Sequence, residues 1–252
     1  QGKAFAPLPC RVPTPGDRAG NPAPSPAADA AATLFDLILN QLRRLPAPAA
    51  GHTLIAAGDV LLTFDPTAVD LDRPGVTGVA YPGEVARGSA HGVYVADRDG
   101  RVTNFLQKPD EPIARKHHAI DGVGRVLIDT GLVSLDPRTA AQWLEAAGVT
   151  LRKGQLTLRP GLLQDIRDGN APMLDLYEHV LMALLPRTTD KSYLRRIGAD
   201  DQSAKQAKPY TRVLKALSAP RLGVCVLPWC DFFHIGSSRE LISNVRGLGR
   251  TA

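Results

Sequence analysis

The sequence predicts an α/β fold in which helices flank a largely parallel sheet. Short apolar runs typical of buried strands alternate along the chain with amphipathic segments typical of helices. This alternation is characteristic of doubly wound α/β domains, in which helices connect parallel strands. The chain has 252 residues, of which 44% are hydrophobic, so it is also long enough to bury a sizeable core.

Composition excludes several classes of protein. The three cysteines lack CxxC spacing, so they encode neither a disulfide framework nor a zinc cluster, and a cytoplasmic location is expected. No apolar run reaches the roughly 18 residues of a membrane span. The net charge of +5 comes from scattered basic residues. Such a charge suits a phosphate-bearing ligand and does not require nucleic acid, so neither nucleic acid nor a membrane is a predicted partner.

The first predicted helix covers residues 28–45, where apolar side chains recur at three- and four-residue steps before Pro46. Residues 52–64 then read as a buried strand that is interrupted by Gly58 and Asp59. Because ligands in α/β sheets bind at the carboxyl ends of strands, Asp59 is the first functional candidate. The alternative is that Gly58 and Asp59 only form a turn, in which aspartate is common.

Three further strands are predicted in the first half of the chain, at residues 76–81, 91–96 and 101–106. The last two form a hairpin, because the Asp-Arg-Asp-Gly sequence between them suits a tight turn. Lys108 follows the hairpin and precedes Pro109, which favours an extended backbone at Lys108. Its ammonium group is therefore expected to project from a strand end.

The second half continues the alternation. A buried strand over residues 125–136 is interrupted at Asp129, Thr130 and Gly131. The other predicted elements are helices over 137–147 and 172–185, partly helical structure over 187–210, a helix over 210–217, strands over 222–227 and 232–235, and a helix over 237–245 with a capping box. The sequence contains no Walker A loop, G-x-G-x-x-G fingerprint or G-x-S-x-G elbow.

Six short motifs occur along the chain in a defined order. They are Gly58-Asp59-Val60, His91-Gly92-Val93, Phe105-Leu106-Gln107-Lys108-Pro109, Asp129-Thr130-Gly131, Asp175-Leu176-Tyr177 and the FHIGSSRELI run that contains His234. Together they resemble the L-fucose-1-phosphate guanylyltransferase (GDP-fucose pyrophosphorylase) family, a domain that is sometimes fused to an L-fucokinase. More distantly, the chain resembles sugar-1-phosphate nucleotidyltransferases, whose Rossmann-like, GT-A-like domain precedes a left-handed β-helix.

The resemblance implies one nucleotidyltransferase-like domain over residues 1–252, with a β-helix domain following it. The implied reaction transfers GMP from GTP to L-fucose 1-phosphate, giving GDP-L-fucose and pyrophosphate. Two anions must meet, so Mg²⁺ or another divalent cation is expected. The family's glycine-rich loop would precede Lys3 and is absent from this sequence, so the chain alone is expected to turn over poorly.

The resemblance also assigns roles to individual residues. Lys3, Asp59 and Lys108 are the implied catalytic residues, with Lys3 contacting the triphosphate, Asp59 binding the metal ion and Lys108 holding the sugar phosphate. The residues implied to bind substrate are Gly58, His91, Gln107, Asp129, Gly131, Asp175, Tyr177, His234 and Ser237.

His234 departs from the wider nucleotidyltransferases, in which an aspartate at this place is a second magnesium ligand. Imidazole is a softer ligand that is poorly matched to Mg²⁺. His234 would then contact phosphate as a cation, or Asp231 would replace the missing acid.

Each assignment has an ordinary structural alternative. Lys108 can be a solvated strand-end lysine, Asp129 can cap a turn, and His91 can be a simple surface or core imidazole. Asp175 and Tyr177 can be the exposed acid and packed aromatic of a helix. For the whole chain, the alternatives are a non-catalytic sugar-nucleotide-binding or regulatory domain and a nucleotidyltransferase for a different sugar 1-phosphate.

Overall fold

The computed structural model describes residues 38–39, 42–43, 45, 51–152, 155–171, 173–217, 221–236, 239–240 and 244. These residues belong to two compact units. The larger unit contains the described residues of Ala47–Ala56 and Thr67–Trp229. The smaller unit contains those of Gln1–Pro46, Ala57–Pro66 and Cys230–Ala252.

A six-stranded sheet forms the centre of the larger unit. The strands of the described chain are β1 (Thr53–Ala56), β2 (Val60–Thr63), β3 (Val76–Glu84), β4 (Gly92–Ala96), β5 (Val102–Gln107), β6 (Arg125–Leu135), β7 (Val149–Arg152), β8 (Gln155–Leu158), β9 (Leu222–Val226) and β10 (Asp231–His234). The sheet has the order β5-β4-β6-β3-β9, and β1 also pairs with β6. Separate two-stranded sheets join β10 to β2 and β7 to β8.

The sheet is mostly antiparallel, so the prediction of a largely parallel sheet is wrong. Within it only β3 and β9 run parallel, while the four other pairings are antiparallel. The misleading signal was β6, which is buried along nearly its whole length. A central antiparallel strand that is covered on both faces has the same uninterrupted apolar run as a parallel strand.

β6 changes partners half-way along its length. On one edge it pairs with β3 from end to end. On the other edge Ile128 lies opposite Val93 of β4, whereas Leu132 lies opposite Ala56 of β1. Residues 129–131 lie between these two partners, where the register between β6 and β3 also shifts. The Asp-Thr-Gly motif is therefore a bulge in the central strand.

Side chains satisfy the backbone of this bulge. The Thr130 hydroxyl donates a hydrogen bond to the Val79 carbonyl at 2.7 Å and accepts one from the Leu132 N–H at 3.3 Å. Asp129 Oδ2 accepts a hydrogen bond from the Gly131 N–H at 3.1 Å. Gly131 has φ +77°, which glycine adopts at little cost. Each residue of the motif thus has a structural reason for its identity.

Helices cover the sheet of the larger unit. Those with described bounds are α1 (Val85–Gly88), α2 (Glu111–Lys116), α3 (Pro137–Ala146), α4 (Leu162–Arg167), a π-helical turn (Leu176–Val180) continued by α5 (Leu181–Ala183), α6 (Asp190–Arg196) and α7 (Ala204–Leu217). The buried core joins Val76, Phe105 and Val133 of the sheet to Leu181 of α5 and Val213 of α7. Burying each such side chain contributes about 1.5–3 kcal/mol. No helix in the described residues has the length and apolar character to span a bilayer.

Most of the predicted elements that the structure describes are confirmed. The strand at Val76, the β4–β5 hairpin, β6, α3, β9 and β10 all occur within a few residues of their predicted bounds. Residues 187–210 are partly helical, as expected, because they contain α6 and the start of α7. The predicted helices over 28–45 and 237–245 lie mostly outside the described residues.

Two local predictions need correction, and one stretch of the chain had no prediction. Residues 52–64 form two strands, β1 and β2, which belong to different units and pair with different partners. The helix predicted from Pro172, itself outside the described residues, begins at Leu176, because Asp175 is still extended and caps the first turn. The β7–β8 hairpin and α4 had no predicted counterpart.

Substitution of Gly78 tests how closely Tyr94 of β4 packs on β3. A Cβ atom at Gly78 would overlap the hydroxyl of buried Tyr94. Gly78→Ala is therefore expected to lower the free energy of unfolding by about 1–3 kcal/mol, as measured by urea denaturation. Gly122→Ala is the matched control, because nothing lies within 4 Å of its added Cβ. Equal stability of the two variants would contradict the close packing of Tyr94 on Gly78.

Candidate functional site

The smaller unit brings Asp59 and His234 together. In its two-stranded sheet His234 of β10 lies opposite Val60 of β2, and Phe233 lies opposite Leu61. The Ile235 N–H extends this pairing by donating a hydrogen bond to the Asp59 carbonyl at 2.7 Å. The backbone pairing thus places two residues that are far apart in sequence side by side.

The imidazole of His234 lies between two carboxylates. Its Nε2 is 3.6 Å from Asp59 Oδ2, and its Nδ1 is 3.2 Å from Glu240 Oε1. The Asn244 side chain donates a hydrogen bond to the His234 carbonyl at 2.8 Å. The ring also lies over Gly236, where an added Cβ would approach ring atom Cε1 to 2.5 Å. Glycine at position 236 is therefore required for this ring position.

The donor set around Asp59 suits a hard cation only in part. Within the described chain, no group of three or more His, Cys, Asp or Glu side chains has an arrangement that holds a metal ion. Mg²⁺ is commonly bound through one or two carboxylates, with phosphate oxygens and waters completing its shell. The Asp59 carboxylate fits that mode as a single protein ligand. Asp231 is exposed and lies three positions before His234 on β10, so strand alternation places the two on opposite faces.

The larger unit contains a buried polar group at the β6 bulge. The Asp129 side chain is only 6% exposed and faces the hydroxyls of Tyr94 and Tyr177. Phe105 packs between the two tyrosines, edge-on to Tyr94 at 4.9 Å and stacked on Tyr177 at 6.1 Å between ring centroids. In the described structure, neither Asp129 Oδ1 nor the Tyr94 hydroxyl has a hydrogen-bond partner of normal geometry. These groups interact electrostatically without being aligned for a normal hydrogen bond.

The buried surroundings change how Asp129 ionises. Burial raises the pKa of its carboxyl to about 7, although the Tyr94 hydroxyl, the Gly131 N–H and the Tyr177 hydroxyl each lower it in part. Burial, together with the charge of Asp129, raises the pKa of Tyr94 well above its ordinary value. Near neutral pH Asp129 is therefore partly protonated, and its carboxyl can both donate and accept a hydrogen bond.

Lys108 joins His91 at the edge of the same sheet. The Lys108 N–H donates a hydrogen bond to the His91 carbonyl at 3.0 Å, and Gln107 pairs with Gly92. Lys108 is exposed and has φ +48°, so the extended backbone predicted for it is wrong. The chain must turn sharply there, because Asp110 already caps α2 by accepting from the Ile113 N–H at 2.8 Å. A non-glycine residue in this conformation costs about 1–3 kcal/mol and is commonest at functional sites.

Asp175 and Tyr177 have clear structural roles. Asp175 Oδ1 accepts hydrogen bonds from the N–H groups of Tyr177 at 2.7 Å and Glu178 at 2.8 Å, which caps the π-helical turn. Tyr177 packs on Phe105, as the packed-aromatic alternative predicted. A substrate contact by either residue stays a prediction.

Gly58 is an exposed turn residue next to Asp59, as the turn interpretation predicted. Lys3 and Ser237 lie outside the described residues. Their assignments therefore stay predictions.

Sequence reasoning missed three residues that contact the candidates. Tyr94 lies in the predicted hairpin and Phe105 in one of the six motifs, but no local signal links either of them to Asp129. Glu240 belongs to the predicted capping box, and its carboxylate also contacts His234. Long-range packing brings Tyr94 to Asp129, whereas Glu240 lies only six residues after His234.

The family is decided by comparison over the whole chain. The profile of the fucose pyrophosphorylase domain matches residues 1–250. The chain belongs to this family. It is 27% identical over 257 residues to the bifunctional fucokinase/GDP-fucose pyrophosphorylase of Arabidopsis thaliana. That alignment covers 98% of this fucose pyrophosphorylase domain and 21% of the relative, so the chain spans about a fifth of that protein's length.

Solved structures give a weaker comparison for this fucose pyrophosphorylase domain. Two crystal structures of HddC from Yersinia pseudotuberculosis, one of them complexed with GMP-PN, align with 79% of the chain at 12% identity. Each alignment covers 56% of HddC, with TM-scores of 0.38 and 0.37. Scores this low establish neither a common fold nor a common ligand.

The pKa of Asp129 makes stability depend on pH. An aspartate in an unfolded chain has a pKa of about 4. Because the folded value is about 7, the folded protein holds more protons in this range, and stability falls as pH rises from about 4 to 7. Asp129→Asn removes this titration. We expect the variant to be roughly 2–4 kcal/mol more stable than the parent at about pH 8 and nearly equal at about pH 4.5, by urea denaturation.

Asp121→Asn is the control for this prediction. Hydrogen bonding to the Arg125 N–H is the main cause that lowers the pKa of exposed Asp121, against a smaller effect of desolvation. Its stabilising contribution is present above about pH 4 and is lost below it. The Asp121 variant should thus be less stable than the parent by similar amounts at about pH 4.5 and at about pH 8. The same pattern in Asp129→Asn would exclude a raised pKa for Asp129.

Proposed function

We propose that this chain is the guanylyltransferase domain that transfers GMP from GTP to L-fucose 1-phosphate, forming GDP-L-fucose and pyrophosphate. The observation that carries the proposal is the match of the fucose pyrophosphorylase profile over residues 1–250. The pairing of Asp59 with His234, two residues from separate family motifs, supports it. So does the polar group buried at the Asp-Thr-Gly motif.

The proposed reaction is an in-line displacement at phosphorus. A phosphate oxygen of fucose 1-phosphate forms a bond to the α-phosphorus of GTP. The bond between that phosphorus and the oxygen bridging to the β-phosphate breaks, and pyrophosphate leaves with the electron pair. Catalysis of such a step depends on holding the two anions in line and on neutralising their charge.

Asp59 and His234 are the proposed cation-handling pair. Asp59 would hold Mg²⁺, which neutralises phosphate charge when bound. His234, bracketed by Asp59 and Glu240, fixes the direction of the Asp59 carboxylate rather than binding the metal ion itself. This role explains how a histidine can stand where related enzymes carry an aspartate, since imidazole is a poor magnesium ligand.

Lys108, Lys3 and Asp129 have distinct proposed roles. Lys108 would bind the phosphate of the sugar, and Lys3 would contact the triphosphate. Asp129 Oδ1 is a buried polar atom with no normally aligned partner in the described structure, and such atoms commonly bind ordered water or ligand. A sugar hydroxyl supplies both a donor and an acceptor, which suits a carboxyl with a pKa of about 7.

A non-catalytic sugar-nucleotide-binding domain is the second candidate. It is favoured by the contact of His234 with Asp59, because the imidazole then already contacts the carboxylate that is proposed to bind the cation. Calorimetry with GDP-fucose, followed by a pyrophosphate-release assay of the full-length protein with GTP and fucose 1-phosphate, separates the two candidates. Binding without turnover would establish this second function and exclude the first.

The longer protein around this domain is also part of the proposal. The relative from Arabidopsis thaliana is a bifunctional fucokinase/GDP-fucose pyrophosphorylase. A fused or neighbouring L-fucokinase would make the fucose 1-phosphate that this domain consumes. Both reactions use cytoplasmic nucleoside triphosphates, so a cytoplasmic location fits the proposal.

Asp59→Asn tests the proposed metal ligand. In the full-length protein we expect at least a hundredfold loss of kcat for pyrophosphate release, because an amide does not supply the negative charge that binds Mg²⁺. The urea midpoint should stay unchanged, since the Asp59 backbone makes the strand contact. Asp231→Asn, on the opposite face of β10, is the matched control and should keep activity within about twofold. Near-normal activity of Asp59→Asn would remove Asp59 from the mechanism.

Lys108→Gln tests the proposed sugar-phosphate contact. Loss of a charged hydrogen bond costs about 1.5–3 kcal/mol, so KM for fucose 1-phosphate should rise roughly 10- to 100-fold. KM for GTP should change less than about twofold. Lys116→Gln, an exposed lysine at the end of α2, is the control. Equal changes in both KM values would mean that Lys108 does not distinguish the two substrates.

A further inference from the structure

A cavity in the larger unit is lined by arginines that the proposed reaction does not use. Its volume is about 800 Å³, and three lining segments each contribute an arginine, namely Arg101, Arg187 and Arg221. The lining also includes Asp97, Val102, Thr103, Thr188 and Leu222. None of the residues assigned above to catalysis or substrate binding belongs to this lining.

The three guanidinium groups have no anionic partner within the described residues. All three arginines are exposed, and no ion pair or side-chain hydrogen bond in the described chain involves them. Arginine side chains at surfaces are normally solvated. Here three of them line one concave space from separate segments, so their positive charges surround the same space.

The single acid of the lining does not neutralise these charges by pairing. Asp97 Oδ1 accepts hydrogen bonds from the N–H groups of Asp99 at 3.0 Å and Arg101 at 2.9 Å, which hold the hairpin turn. The Thr103 and Thr188 hydroxyls donate to backbone carbonyls of Val95 and Leu185. The groups left to bind a ligand are therefore the three cations.

The backbone fixes the positions from which the three arginine side chains extend. Arg101 forms an antiparallel bridge with Gly223, and the Arg221 carbonyl accepts a hydrogen bond from the Val76 N–H at 2.8 Å. Arg187 has φ +58°, a costly conformation for a residue with a side chain. Buried Val102 and Leu222 form a rigid apolar wall beside them. Fixed attachment points lower the entropy cost of bringing cations onto one ligand.

We propose that this cavity binds the phosphate group of a small phosphorylated molecule. Arginine is the residue best suited to phosphate, because its planar fork donates two parallel hydrogen bonds to neighbouring oxygens. The volume lies within the roughly 300–1,000 Å³ of small-molecule sites, and the concave shape favours a small ligand over a polymer. The inference rests on this lining alone and is independent of the proposed transferase reaction.

Isothermal titration of the full-length protein tests the site. The probes are inorganic phosphate, glucose 6-phosphate and GMP, each titrated into the parent and into the double variant Arg187→Gln/Arg221→Gln. We expect the double variant to bind inorganic phosphate at least tenfold more weakly. Arg98→Gln removes an exposed arginine from the same hairpin turn but outside the lining, so it is the matched control and should bind like the parent.

The three probes separate the sources of phosphate. If the double variant loses the same factor in affinity for all three probes, phosphate alone is the recognised group. A larger loss of affinity for glucose 6-phosphate identifies a sugar phosphate as the ligand class, and a larger loss for GMP identifies a nucleotide. Thermal unfolding of each variant checks the fold, and Arg101→Gln alone repeats the test if the double variant is unstable. No phosphate binding by the parent, or equal binding by parent and arginine variants, would overturn the proposal.

Discussion

Three residues in the middle of β6 leave the regular ladder and satisfy its backbone groups with side chains. The Thr130 hydroxyl spans β3 and β6, the Asp129 carboxylate holds the Gly131 N–H, and Gly131 supplies the left-handed φ. This local rearrangement lets one strand pair with β4 along its first half and with β1 along its second. Loss of the bulge would force a single partner on that edge, and the β4–β5 hairpin that leads into Lys108 would no longer be anchored beside it.

The same bulge places a carboxyl group in an unfavourable, buried environment. Burial raises the pKa of this carboxyl group to about 7 and lowers the stability of the fold, which an apolar residue at the same position would not do. The cost is partly offset by two tyrosine hydroxyls, which are positioned through the packing of Phe105. Proteins keep such groups mainly where function requires them, because stability alone would select against them.

Local chemistry in the sequence predicted the elements that depend on short-range physics. The Asp-Gly turn at Gly100 predicted the hairpin, and Pro137 predicted the start of α3. Strand direction was not predictable in this way, since β6 has the same burial whichever way its neighbours run. The backbone of Lys108 also escaped prediction: the bias of a following proline was outweighed by the need to turn into the cap of α2.

The same distinction between short-range and long-range interactions applies to the candidate residues. Asp59, His234 and Asp129 are candidates because of ordered motifs, whereas the contacts of His234 with Asp59 and of Asp129 with Tyr94 join residues far apart in sequence, which no local pattern encodes. Asp175 and Tyr177 were assigned to substrate by resemblance, and the structure gives each a local role in capping or packing. The motifs therefore predict candidate residues without predicting the contacts that folding gives them.

The left-handed backbone at Lys108 has a consequence for engineering. Glycine adopts this conformation at little cost, so replacing Lys108 with glycine would relieve the backbone while removing the ammonium group. A search for heat-resistant variants would thus favour substitution at this position, whereas the proposed contact of Lys108 with the sugar phosphate would make a search for active variants disfavour it. Libraries built on this domain should hold Lys108 fixed and seek added stability elsewhere, for example at exposed helix positions.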